Sequence, residues 1–230
     1  ETAVAAAPAD GEALAFLAHA LGQAGKPALD LFEQARQLAP DSALPSYLEG
    51  IYLRQQGAFS AAEVLFARAI SLDPDNAAAY AEWGKIKDQA GDLAAAEELY
   101  TTAVKLEPKQ LEFQLLLLRF YANRSYRTNE AGIPLAERLI AANPNQAELH
   151  DLLGWMQFLS GAPENGGEAL QRAVELDPEL VSARYHLARY LETNGQVIEA
   201  IAEYQRVADW SINETLRQQA LKDLQRLLPK

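Results

Sequence analysis

The chain has 230 residues, 49% of them hydrophobic, and carries 32 acidic against 20 basic side chains, a formal net charge of −12. No apolar stretch approaches the roughly 18 residues that a membrane-spanning helix requires, and the acidic excess argues against nucleic acid, whose phosphates call for a basic surface. Cysteine is absent, so disulfides, thiol catalysis and cysteine-based zinc spacings are excluded.

In chain order, Glu1 to Asp10 is alanine-rich and lacks helical punctuation, which predicts a flexible lead-in over residues 1–10. A start at glutamate suits a domain cut from something longer, with a removed signal or anchor left open, as is the compartment. Prolines then recur at 40, 74, 108, 144 and 178, at spacings of 34, 34, 36 and 34 residues. A fixed period of this size marks a supersecondary unit that buries its apolar face only by stacking on its neighbours. Each proline follows an apolar helical run that it cannot continue. Gly25, Gly57, Gly91, Gly161 and Gly195 form a second column and split each unit into two helices, glycine suiting the left-handed residue just past a helix end.

Aligned on these columns, small residues stack at Ala18, Gly50, Gly84, Gly154 and Ala188, where two helices would approach closely. Phe32, Phe66, Tyr100, Leu170 and Tyr204 share a column in the second helices, and Ala35, Ala69, Ala103 and Ala173 share another three residues on. Spacings of three, four and seven place these side chains on one helical face.

On Trp83-Gly84, Ala96, Tyr100, Ala103 and Pro108, and again on Leu153-Gly154, Leu170, Ala173 and Pro178, the chain resembles the tetratricopeptide repeat family. Gly50, Ala62, Phe66, Ala69 and Pro74 carry the same landmarks, and the likeness covers roughly residues 11–212. The expected fold is all-α: a right-handed α-solenoid of about six helix-turn-helix repeats (11–42, 43–76, 77–110, 111–146, 147–180, 181–212) plus a capping helix over 213–230.

The fourth repeat carries a two-residue insertion within Asn123 to Gly132, and Pro134 falls where its second helix would already have begun. That helix is expected to start late, near Ile133, or to kink there. Past the sixth repeat, Ser211-Ile212-Asn213-Glu214 has the spacing of a capping box. The helix after it puts Leu216, Ala220, Leu221, Leu224, Leu227 and Leu228 on one side, with Arg217, Gln218, Lys222, Asp223 and Arg226 expected on the solvent side. Such a helix covers the face that the last repeat would otherwise expose.

No glycine-rich phosphate loop, His-Glu-x-x-His metal motif or nucleophile elbow is present. His150 and His186 lie on the first helices of adjacent units but without a third ligand, so neither a metal nor a cofactor is expected and the chain is read as noncatalytic. The resemblance places partner segments in a concave groove lined by first helices. The column projecting there reads His19, Ile51, Lys85, Arg119, Trp155 and Arg189, with Tyr47, Arg54, Phe158, Tyr185 and His186 in flanking columns.

Two readings of these residues stay open. Either Lys85, Arg119 and Arg189 meet carboxylates of a partner while Trp155, Phe158 and Tyr185 form an apolar pocket, or the cations pair internally with Glu82, Asp88, Asp151 and Glu192. The two-carboxylate clamp of the family's chaperone-binding members is missing, since its places hold Ala15, His19, Leu48, Ala78 and Glu82. The expected function is an adaptor or scaffold that binds a peptide or helix of a protein partner. The alternative is an assembly role, docking or self-associating through the ends or convex face, for example in an envelope or secretion apparatus.

Overall fold

The computed structural model describes residues 10–161 and 163–228, with backbone alone at 163–165. The expected lead-in over 1–10 therefore falls almost wholly outside the described residues. Among those described, the regular structure is helical: α1 (Gly11–Gln23), α2 (Leu29–Leu38), α3 (Ala43–Gln55), α4 (Phe59–Leu72), α5 (Ala77–Ala90), α6 (Leu93–Leu106), α7 (Leu111–Arg124), α8 (Ile133–Ala142), α9 (Ala147–Leu159), α10 (Pro163–Leu176), α11 (Val181–Thr193), α12 (Val197–Trp210) and α13 (Glu214–Leu227). The fold class is that of a helical-repeat solenoid. Its contacts form two compact units, divided between Leu117 and Leu118 within α7.

Punctuation acts where the sequence places it. The glycines that follow the first helices all take left-handed φ, from 71° at Gly25 to 83° at Gly161. Asp10, Asn76 and Asp92 open α1, α5 and α6 by accepting backbone N–H bonds from Ala13, Ala79 and Ala95. The second helices α2, α4, α6, α8 and α10 each end two residues before the recurring proline.

In the first unit the core gathers Leu14, Ala18, Phe32, Ala35 and Leu48 between α1, α2 and α3, then Ala62, Phe66 and Ile86 between α3, α4 and α5. The small column exists to admit the large one. A Cβ on Gly50 would sit 2.7 Å from the Phe66 ring, and one on Gly84 2.7 Å from the ring of Tyr100. In the second unit Gly154 goes further, because a Cβ there would meet the Gly166 carbonyl oxygen at 2.7 Å, so the backbones of α9 and α10 touch.

The insertion is absorbed by left-handed Ser125 and Arg127 and a π-helical turn over Thr128–Gly132. α8 then begins at Ile133 with Pro134 in its first turn, where the missing N–H costs nothing. Gly132 lies against Met156, the single methionine of the chain, which is 0% exposed on α9.

The capping helix departs from expectation in two ways. Asn213, not Ser211, is its N-cap and accepts from the Leu216 N–H, while the Ser211 hydroxyl donates to the Asn213 carbonyl. Asp223 is buried, 6% exposed, rather than on the solvent side. Leu216, Ala220, Asp223 and Leu227 follow a four-three-four spacing, which turns Asp223 into the seam against the last repeat.

Candidate functional site

In the first unit the expected site residues belong to the packing. Tyr47 and Ile51 on α3 pack on the two core clusters, the Tyr47 ring 6.4 Å from Phe66. Burial pushes the Tyr47 phenol up, and the nearby Glu82 carboxylate adds to this against Arg54. Arg54 and Lys85 converge on one carboxylate: Arg54 Nε lies 2.8 Å from Glu82 Oε2 and Lys85 Nζ 2.6 Å from Oε1. Both cations thus have an internal counter-ion.

The second unit divides the remaining residues. Arg119 forms a forked pair with Glu148, Nε to Oε1 at 2.5 Å and Nη2 to Oε2 at 2.9 Å. Tyr185, expected in an apolar pocket, is buried instead. Its hydroxyl donates to Asp223 Oδ2 at 3.1 Å and its ring meets Tyr204 edge-on at 5.8 Å. A phenol at this depth needs an acceptor, and the capping helix supplies one.

The structure does bring together Trp155, Phe158 and His186. The His186 ring stacks on Trp155 at 4.2 Å and 11°, and Phe158 stacks on Trp155 at 5.5 Å and 26°. His186 Nδ1 lies 2.7 Å from Asp151 Oδ1. Asp151 is 1% exposed, and its other oxygen accepts from the Ser182 hydroxyl at 2.9 Å. The buried carboxylate fixes the ring plane of His186 and turns Nε2 away from α9. Arg189 follows one turn later on α11 and approaches the Tyr185 hydroxyl. The three rings form a half-buried aromatic ladder, with Arg189 one turn beyond His186 on the same helix.

Ser182, Asp151 and His186 have the composition of a hydrolytic triad, but not its connectivity. The serine hydroxyl donates to the aspartate rather than to the histidine, so no base stands ready to take its proton. Among the described residues no group of three metal-ligating side chains comes together, and no helix is long and apolar enough to cross a membrane.

Ser182 escaped the sequence reading, and Asp223 was read as solvent-facing. Asp223 had a signal in its seam position; Ser182 had none beyond lying 31 residues after Asp151, close to one repeat.

Tetratricopeptide repeat profiles match residues 53–119 and, in two overlapping stretches, 127–181 and 168–211. The chain belongs to the tetratricopeptide repeat family. No curated protein matches it. Among solved structures, a tetratricopeptide repeat protein from Parabacteroides merdae is similar over 95% of this chain and 85% of its own, with a TM-score of 0.71 at 14% identity. A thermophilic repeat protein of Thermus thermophilus aligns over 80% of this chain and all of its own, at 0.63 and 22%. YrrB, described as a repeat protein with an unusual peptide-binding site, aligns over 83% and 97%, at 0.58 and 17%. Membership makes the chain a protein–protein interaction module, and no catalytic family is indicated.

Proposed function

We propose that the chain is an adaptor that holds a peptide or helix of a partner protein against first helices, with the contact centred on Trp155, Phe158 and His186 of α9 and α11. The carrying observation is the ladder of three stacked rings left half-buried on two adjacent first helices. Flat aromatic surface of this kind is what interfaces use as anchors, because it buries large area at little conformational cost. A peptide-binding site in the similar YrrB supports the reading by likeness of fold.

Tyr47, Ile51, Arg54, Lys85 and Arg119 serve as the frame of this reading, since their apolar or charged groups are already engaged. Selection of random dodecapeptides on the immobilised chain tests it. A convergent family of binders that is lost on Trp155→Ala, with thermal unfolding retained, is the expected result. Absence of any Trp155-dependent binder overturns it.

A second reading, docking through an end or the outer side, draws on Ile198 of α12 and Ile212 just beyond it, which are 82% and 104% exposed. A mass that grows with concentration in sedimentation, abolished by Ile198→Asp with Ile212→Asp, would favour it.

A further inference from the structure

Arg189 is the cation of the first-helix column that makes no close ion pair among the described residues. Among the described residues no carboxylate lies within 4.0 Å of its guanidinium. This is unexpected in a chain with 32 acids and 20 bases. It is more so because Glu192 stands three residues on along the same helix, a spacing at which ion pairs form readily.

The reason lies on the capping helix. Arg226 binds both Glu192 oxygens, through Nη1 to Oε1 and through Nη2 to Oε2 at 2.9 Å. The Tyr204 hydroxyl also donates to Oε2, at 2.8 Å. The other acid whose field reaches Arg189 is Asp223. Its Oδ1 accepts from Arg226 at 3.2 Å, and its Oδ2 accepts from Tyr185 at 3.1 Å. Both neighbouring carboxylates are therefore committed to one competing arginine and two phenols.

We infer that Arg226 acts as a decoy cation: by holding Glu192 and Asp223 it leaves Arg189 open for a carboxylate of an acidic partner segment lying along the aromatic ladder. The inference rests on the reading of that ladder as the binding surface. The occupant follows from charge. A partly buried guanidinium one helical turn from stacked rings, with no described carboxylate within 4.0 Å, is matched by an anionic side chain or a chain-terminal carboxylate next to an apolar residue. Arg226 then acts as a positioning residue. It touches no ligand, yet its loss would let Glu192 swing onto Arg189 and block the site.

The test uses the tightest-binding dodecapeptide selected on the intact chain, labelled and followed by fluorescence anisotropy. The peptide is expected to carry an acidic residue, and amide replacement of that residue or Arg189→Ala should weaken binding about tenfold. Arg226→Ala should weaken it several-fold, and Arg226→Ala with Glu192→Gln should bring affinity back, since glutamine carries no charge with which to close on Arg189. Arg226→Lys, which keeps the charge but not the fork, guards against a folding defect and should fall between. Trp155-dependent binders without acidic residues would overturn the inference and leave the binding surface standing, whereas no Trp155-dependent binder would remove both. Unchanged affinity in Arg226→Ala, or no recovery in the double variant, would overturn the decoy role alone.

Discussion

Each unit sets a glutamate against an arginine, buried in the first and half-buried in the second, and the two carboxyls shift in opposite directions. In the first unit Glu49, 6% exposed, faces Arg36 Nε at 2.7 Å, but the geometry does not align a hydrogen bond. Burial pushes the Glu49 carboxyl above its ordinary 4.5, with Arg36 opposing. In the second unit the hydrogen bonds from Arg226, followed by the Tyr204 hydroxyl, hold the Glu192 carboxyl below 4.5 against a smaller effect of burial. An arginine alone does not offset the loss of water; a carboxylate whose oxygens are filled by donors keeps its charge.

The strongest way to set the units apart is through their anchors. Phe66 is held by apolar contact alone, so Phe66→Ala should cost about 3–5 kcal/mol in urea unfolding. Tyr204→Phe keeps the packing and loses one bond to Glu192, and should cost only about 1 kcal/mol. Equal costs would show that the second unit leans on its polar network as heavily as the first leans on its core.

Next come the close approaches. Gly154→Ala sets a methyl group against backbone and should cost about 1–3 kcal/mol, whereas Gly84→Ala meets the edge of the Tyr100 ring, which can shift, and should cost less. The reverse order would mean that α9 and α10 separate more easily than a ring moves.

The glutamates give the third contrast. The charged-state contribution of Glu192 is present above the ordinary glutamate value and is lost as pH falls through its lowered one. Glu192→Gln should therefore be less stable by about 1 kcal/mol at neutral pH, with the gap closing in strong acid. Glu49 is the opposite: its contribution is full below 4.5 and lost as pH rises through the raised value. Glu49→Gln should match or exceed the parent at neutral pH and forfeit that advantage as the parent's carboxyl protonates. Thermal unfolding of both variants across pH 3–8 checks the pair of signs. The smallest expected effect on folding is Trp155→Ala, about 1 kcal/mol from lost stacking, beside a large loss of peptide capture.

The repeat was legible because its determinants are local. Proline and glycine stop helices wherever they stand, and the pairings of Gly50 with Phe66 and Gly84 with Tyr100 recur at a fixed offset. The site was legible as columns but not as chemistry. Whether Arg119 is spent depends on Glu148, 29 residues away, and whether Tyr185 is buried depends on Asp223, 38 residues away on an element outside the repeat. Nothing in the register distinguishes a cation with such an acceptor from one without. Asp223 was misplaced because a charged residue in an apolar seam reads as surface unless the phenol that accompanies it is known.

The Met156 thioether, closed in between α9 and the π-helical turn, gives the chain a property unrelated to recognition. With no cysteine and a single methionine that is 0% exposed, the folded protein offers oxidants no accessible sulfur. Sulfoxide formation at Met156 becomes a clock for opening at that seam: in peroxide, the rate at which the protein gains one oxygen reads how often Gly132 lifts away from α9.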